Sequence, residues 1–318
     1  MAYSAGDPIL DDEYNNFVNA SSSPFGWNHF AGTGSGSYGL GQSHIATVSA
    51  GNTINAANWN TFFTAVDTIA NHTNDTMTSR SSVSAGDAIA IKAAVASDLA
   101  TLAASVNNGS PSASALADDD QGTSTNSGTW QSTSTIERSV TFASGDAMRH
   151  FFNAGGSIKI DPGTSGSTDG GKDLAFESLV AAVGVLEIKS KTTTESGSGD
   201  TTASFDNSNG FHDLSTGYTS KIKITSSDYS GYSSNFIEIS AKLNASVGSA
   251  TVMTIKCVCS DPSSNDTYTS GNTTGAFVNP GLCPAISLNI VAREPTNAQG
   301  LASAIQVSSN AQVSNSAS

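Results

Sequence analysis

The sequence predicts an α+β protein, mainly β, with a short N-terminal helical module followed by a C-terminal antiparallel β-sandwich. Three observations predict it. Apolar residues recur every three or four positions before about residue 107, and from Trp130 onward they alternate with a period of two over many short runs. Between these lies Asn107 to Thr129, rich in Ser, Asn and Asp and without an apolar period. The domains that follow are a helical, loop-rich anchoring module over 1–107, a linker over 108–129, a sandwich over 130–294 and an extended tail over 295–318.

Four segments place a small residue and Gly before Asp or Asn: Gly6-Asp7, Gly51-Asn52, Gly86-Asp87 and Gly145-Asp146. A helical pattern follows each, because an Asp or Asn side chain accepts an orphan N–H of the first turn and complements the helix dipole. Helices are expected near 8–19, 53–71 and 88–107, with Pro8 at a first helical position that needs no N–H. Shared capping chemistry and internal duplication both account for the recurrence. The second helix carries Trp59, Phe62, Phe63 and Val66 on an amphipathic stripe with Ile69 and Ala70. Short helices offer little mutual surface, so Trp59, Phe62, Phe63 and Val66 are expected to anchor the module against partner subunits. In the third, Ile91, Val95, Leu99, Leu102 and Val106 form a narrow seam, which suits either a packed helix or a self-associating one. Residues 21–48 mix glycine and aromatics without period and read as a loop that wraps or docks.

Beyond the linker, strands are expected over 130–142, 157–161, 185–194, 199–206, 217–227, 234–245, 250–260 and 285–293, with one helix near 172–183. Strands succeeding one another at hairpin spacing point to a sandwich. The tail has too few apolar residues to fold alone, and is either disordered or threaded onto a neighbour.

One stretch, Glu137 to Ile160, packs several signals together. Arg138, Val140 and Phe142 alternate as in a half-buried strand, and Asp146 offers an N-cap. Met148, Phe151 and Phe152 share a helical face, and Gly155-Gly156 ends that helix with positive φ before Ile158 and Ile160 resume the alternation. With Arg149, Asn153 and Ala154, these residues make the run resemble a family of virion structural proteins of tailed bacteriophages, notably cyanobacterial and marine ones. The resemblance covers roughly 130–294. It implies a non-enzymatic structural protein of the virion, associated with tail, baseplate or neck as a fibre or fibre-attachment piece and assembled in the host bacterial cytoplasm. Other virion proteins would be its partners, in a homo-oligomer of three or more copies. A capsid-decorating protein is one alternative, and a module binding a host-surface glycan is another, with Trp27, Tyr229 and Tyr232 available to stack on sugar rings.

Composition narrows the partners. Ser, Thr, Gly and Asn supply 141 of 318 positions and charged residues only 13%, so small polar groups provide the solvation, as suits a surface facing water or a neighbouring subunit. A net charge of −14 without clustered Lys or Arg argues against nucleic acid. No apolar run is long enough to span a membrane, and the N-terminal stretch lacks the basic start and apolar core of a signal peptide.

Chemistry-bearing patterns are sparse. His29, His44, His72, His150 and His212 show no metal-ligand spacing. Cys257 and Cys259 lie two apart on a predicted strand, facing the same way with Cys283 in reach across the sheet, and read as buried reduced thiols rather than a zinc site. Asp118, Asp119 and Asp120 lack the spaced pattern of a calcium loop, and Gly32, Gly34 and Gly36 lack the Lys-Ser/Thr of a phosphate loop. No catalytic residue, metal or cofactor is therefore expected.

Overall fold

The computed structural model describes residues 11–84, 92–126, 130–165, 171–198, 202–226, 232, 234–262, 267–270, 273–276, 283–301 and 304–318. The chain forms two compact units from interleaved segments. The first draws on Met1–Ala117, Asp146–Gly156 and Glu294–Gln306, and the second on Asp118–Gly145, Ser157–Arg293 and Val307–Ser318. The expected boundaries therefore change: neither unit is one continuous stretch.

In the first unit, α1 (Asp11–Asn19) opens with Asp11, Asp12 and Glu13, the charge sign its N-terminal dipole favours. A single turn, α2 (Trp27–Phe30), precedes the long α3 (Ala56–Thr73). Asn55, not the expected Asn52, caps α3: its side chain accepts from the Asn58 N–H while Asn58 reaches back to the Asn55 N–H. The helix stops at Asn74, which is left-handed at φ 57°. Helix α4 (Lys92–Asn107) follows; the expected caps at Asp7 and Asp87 and the seam residue Ile91 lie outside the described residues.

These helices close a core of their own. Trp59, Phe62, Phe63 and Val66 are all buried in it with Tyr14, and the Tyr14 ring meets Trp59 edge-on at 5.4 Å. This corrects the expectation of an anchoring set: residues filling their own unit's interior cannot reach a partner. Val95, Leu99, Leu102 and Val106 are buried in the same cluster, so this part of the seam belongs to a packed helix. The two later segments complete the cluster through Ala154 and Leu301.

The second unit begins within β1 (Leu116–Thr125), at Asp118; this ten-residue strand lies where a linker was expected. Then come β2 (Thr133–Thr141) and β3 (Ser157–Ser165), separated by α5 (Gly145–Asn153), whose residues from Asp146 belong to the first unit. Helix α6 (Gly171–Val183) and strands β4 (Leu186–Ile188), β5 (Thr193–Glu195) and β6 (Thr202–Phe205) follow. The remaining strands are β7 (Thr219–Thr225), β8 (Phe236–Leu243), β9 (Val252–Ser260), β10 (Thr267–Ser270), β11 (Thr273–Ala276), β12 (Ala285–Pro295) and β13 (Ser309–Ala317). One sheet runs β1-β12-β3-β4-β5, the other β13-β2-β9-β8-β7-β6, and β10 pairs with β11. The two antiparallel sheets give the α+β, mainly β fold that the sequence predicts. Of the tail, Ser309 to Ala317 form β13, which pairs antiparallel with β2 of the same chain.

Strict alternation explains the interior. Along β9 every second residue is buried, placing Met253, Ile255, Cys257 and Cys259 on one face, and β12 does the same with Ile286, Leu288 and Ile290. Helix α6 contacts β3 of one sheet and β7 and β8 of the other. Its Phe176 takes the Trp130 ring edge-on at 4.8 Å, while the Trp130 indole N–H donates to the Pro284 carbonyl at 2.8 Å. Trp130 thus precedes the strand that was expected to start there and bridges to Cys283 instead.

All three cysteines are free and buried. Burial pushes the Cys283 thiol up to about 12, helped by the nearby Asp261 carboxylate, and Cys259 is raised by its hydrogen bond with Cys257 and by burial. Thiolates being the reactive form, the native protein should show no fast reaction with a disulfide reagent at pH 8, and three thiols should appear on adding denaturant. Rapid titration of any of them in the native state would contradict this.

Candidate functional site around helix α5

Helix α5 joins the Arg, His, Asp and Asn of the Glu137 to Ile160 run. Asp146 sits in its first turn rather than capping it: the carboxylate accepts from Arg149 Nη2 at 2.8 Å, and that bond holds Asp146 below the usual carboxylate range. Arg149, 4% exposed, also donates to the main-chain carbonyls of Thr33 and Tyr38. His150 Nε2 lies 3.0 Å from the Thr33 carbonyl, and Asn153 Nδ2 is 3.0 Å from that of Tyr38 and 3.2 Å from that of Gly36.

The polar side of α5 is therefore a rack of donors aimed at the backbone of the 33–39 loop. Within that loop the Tyr38 N–H serves the Ser35 carbonyl at 3.1 Å, while the carbonyls of Thr33, Gly36 and Tyr38 take donors from α5. Gly34, Gly36 and Gly39 all have positive φ, a path that turns the peptide groups away from regular pairing. The sequence reading of a loop that docks describes this segment, and its docking partner is α5 of the same chain. A Cβ on Gly39 would stand 2.3 Å from the Thr33 carbonyl oxygen and 2.9 Å from Arg149 Nη1, and the residue has φ 97°, so glycine is needed where the loop closes on its own backbone beside the guanidinium.

The remaining motif residues are structural. Met148, Phe151 and Phe152 are fully buried, with the two Phe rings edge-on at 5.1 Å. Gly155 has φ 84°, as the sequence requires of a helix end, and Gly156 N–H returns to the Phe151 carbonyl at 2.9 Å. Phe142 is buried in the second unit. So is Arg138, on β2, where Nη1 and Nη2 donate to the Gly122 and Gln121 carbonyls at 2.6 Å each and Nη2 to Asn310 Oδ1 at 3.0 Å. The acidic triplet is tied up on β1: Asp118 pairs with Lys159 at 2.7 Å, Asp119 accepts from Gln121 and Asp120 from the Gly122 N–H.

Sequence reasoning missed two features of the first unit. His72 is buried, its Nε2 is 3.0 Å from the Ala154 carbonyl, and its Nδ1 has no hydrogen-bond partner among the described residues. Arg80 is paired with Asp98 and lies 5.2 Å from the Phe63 ring centre. A shallow groove lined by Asp67, Asn71, Asp75 and Arg80 runs beside this pair. Only the Asp-x-x-x-Asn and Asp spacing of its rim is visible in the sequence, and such spacing is common on helices.

The histidines make the first unit sensitive to acid. Burial lowers His72 and His150, and burial together with Arg149 lowers His29. A histidine whose folded value is depressed binds fewer protons folded than unfolded, so stability is fully present above about pH 6.5 and is lost as pH falls below it. Denaturant midpoints should fall between pH 7.5 and 5.5, and His72→Gln should flatten the slope. An unchanged or rising midpoint would refute the assignment.

Among the described residues no helix is long and apolar enough to cross a membrane, and no group of three or more His, Cys, Asp or Glu is arranged to hold a metal ion. Of the aromatics considered for glycan stacking, Trp27 and Tyr232 are 3% and 6% exposed, and Tyr229 lies outside the described residues. Buried rings cannot stack on a sugar, which corrects that part of the sequence reading. Comparison with family models, with curated proteins and with solved structures gives no match to this chain.

Proposed function

We propose that the chain is a non-enzymatic structural component of a tailed-phage virion, acting as a rigid building piece of the tail, baseplate or neck in a homo-oligomer. The observation that carries the reading is how α5 uses its chemistry: Arg149, His150 and Asn153 are all directed at main-chain carbonyls of the same unit. Groups that could bind or transform a ligand are committed to holding backbone, as in an architectural motif. A surface solvated by Ser, Thr and Asn rather than by charge supports it, since such groups desolvate cheaply against neighbouring subunits.

The work of such a piece is geometric. Segments far apart in sequence fix the first unit, and the exposed strand β13 lines one edge of the six-stranded sheet. Quantitative mass spectrometry of purified particles should find the chain at a fixed integer copy number, with antibody labelling on the tail, baseplate or neck. Labelling over the whole head would favour the capsid-decoration alternative. Absence from purified particles, with the chain abundant in the lysate, would refute the proposal.

A further inference from the structure

Strand β13 is bound in an unusual way. It pairs with β2 along most of its length, from Ser309 opposite Thr141 to Ala317 opposite Ser134, yet all nine of its residues are exposed. A strand usually stays with its own sheet because alternate side chains enter the core beneath it. Here that contribution is missing, and Val313 stands 53% exposed. What remains is the main-chain ladder and a few polar contacts: Asn310 with Arg138 and Gln121, Asn315 with the Thr125 carbonyl, and Ser318 with Ser132. These contacts fix register, and every partner is a residue of β2, of β1 or of the chain beside them.

From this we propose that in the assembled homo-oligomer β13 is exchanged, each copy laying this strand on β2 of a second copy. Nothing that β13 touches distinguishes its own chain from an identical neighbour, so the choice is made by effective concentration alone. Packing copies side by side brings a neighbour's β2 edge to a concentration comparable with the chain's own. The segment leading in is short: Leu301 is buried in the first unit, Ile305 packs against the same cluster with its N–H on the Pro295 carbonyl at 3.0 Å, and Gln306 to Ser308 join that anchor to β13, so the exchange partner must be an immediately adjacent copy. The outer edge of β13 is blunted by a register shift between Gln312 and Ser314, which disfavours simple stacking of a further strand and leaves the β13–β2 pairing as the exchangeable interface.

The inference concerns the purified homo-oligomer and holds or fails independently of where the protein sits in a particle. Thr135 and Ser316 are directly opposed in the ladder, a separation a disulfide spans. Two full-length variants, Thr135→Cys alone and Ser316→Cys alone, carrying different affinity tags, are co-expressed and oxidised. Exchange predicts a disulfide-linked pair containing both tags, absent when either variant is expressed alone. Peptide mapping should show the two introduced cysteines joined to each other. The double variant Thr135→Cys/Ser316→Cys should give covalent dimers and larger species on a non-reducing gel. The inference is overturned if the mixed-tag pair does not form and the double variant closes its disulfide within one chain.

Discussion

Replacing Gly155 with valine is expected to destabilise the protein by about 3 kcal/mol or more, as two independent costs add. The residue has φ 84°, where a β-branched side chain is strained by about 1–2 kcal/mol. A Cβ there would also stand 2.2 Å from Pro111 Cδ and Cγ, so the Pro111 ring would have to move and its fit against the α5 end would be lost. Gly36→Ala separates the two costs. That position has φ 57° with nothing within 4 Å of a Cβ, so it should lose only the backbone contribution, about 1 kcal/mol. Thermal melting of both variants against the parent checks this, and equal small losses would show that Gly155 is not pressed against Pro111.

Arg149→Met should cost a similar amount, about 3–5 kcal/mol. Methionine keeps much of the volume and removes the charge-assisted bonds to the Thr33 and Tyr38 carbonyls and to Asp146. Those carbonyls keep His150 and Asn153 as neighbours, so the loop should loosen rather than detach. Arg149→Lys should recover only part of the loss, because a single ammonium cannot bridge two carbonyls and a carboxylate in one plane. A melting temperature unchanged in Arg149→Met would mean that the guanidinium adds nothing to the fold.

The fold was legible wherever burial imposes a period. Strand β9, with Met253, Ile255, Cys257 and Cys259 alternating against polar residues, and helix α6, with Phe176 and Leu179 in its apolar run, could be placed from sequence because their faces differ chemically. Strands β1 and β13 could not. The first exposes Asp118, Asp119 and Asp120 and buries only the polar Gln121 and Ser124 among its central residues, and the second buries no side chain, so neither leaves an apolar alternation to read. The interleaving of the units was hidden for a related reason. Ala154 and Leu301 complete the helical core from positions distant in the chain, and neither residue looks unusual in its local context.

The α5 residues were legible as a motif, but their use was not. Arg149, His150 and Asn153 act on the carbonyls of Thr33, Gly36 and Tyr38, acceptors that every residue possesses. The glycines at 34, 36 and 39 were the available signal. They mark a backbone path whose carbonyls take donors from α5, whereas the sequence reading weighed only Gly32, Gly34 and Gly36, as a phosphate loop, and dismissed it.

The central claim is that α5 and the loop it holds form one cooperative piece of the first unit. Native-state hydrogen exchange tests it most directly. The Gly39, Leu40 and Gly41 amides bond to the carbonyls of Phe30, Ala31 and Gly32, and the Ala154 and Gly156 amides to those of His150 and Phe151. All five should open with free energies within roughly 1 kcal/mol of one another, and Arg149→Met should lower them together. Loop amides that exchange more than about a hundredfold faster than those of Ala154 and Gly156, with the latter unmoved by the substitution, would contradict the claim.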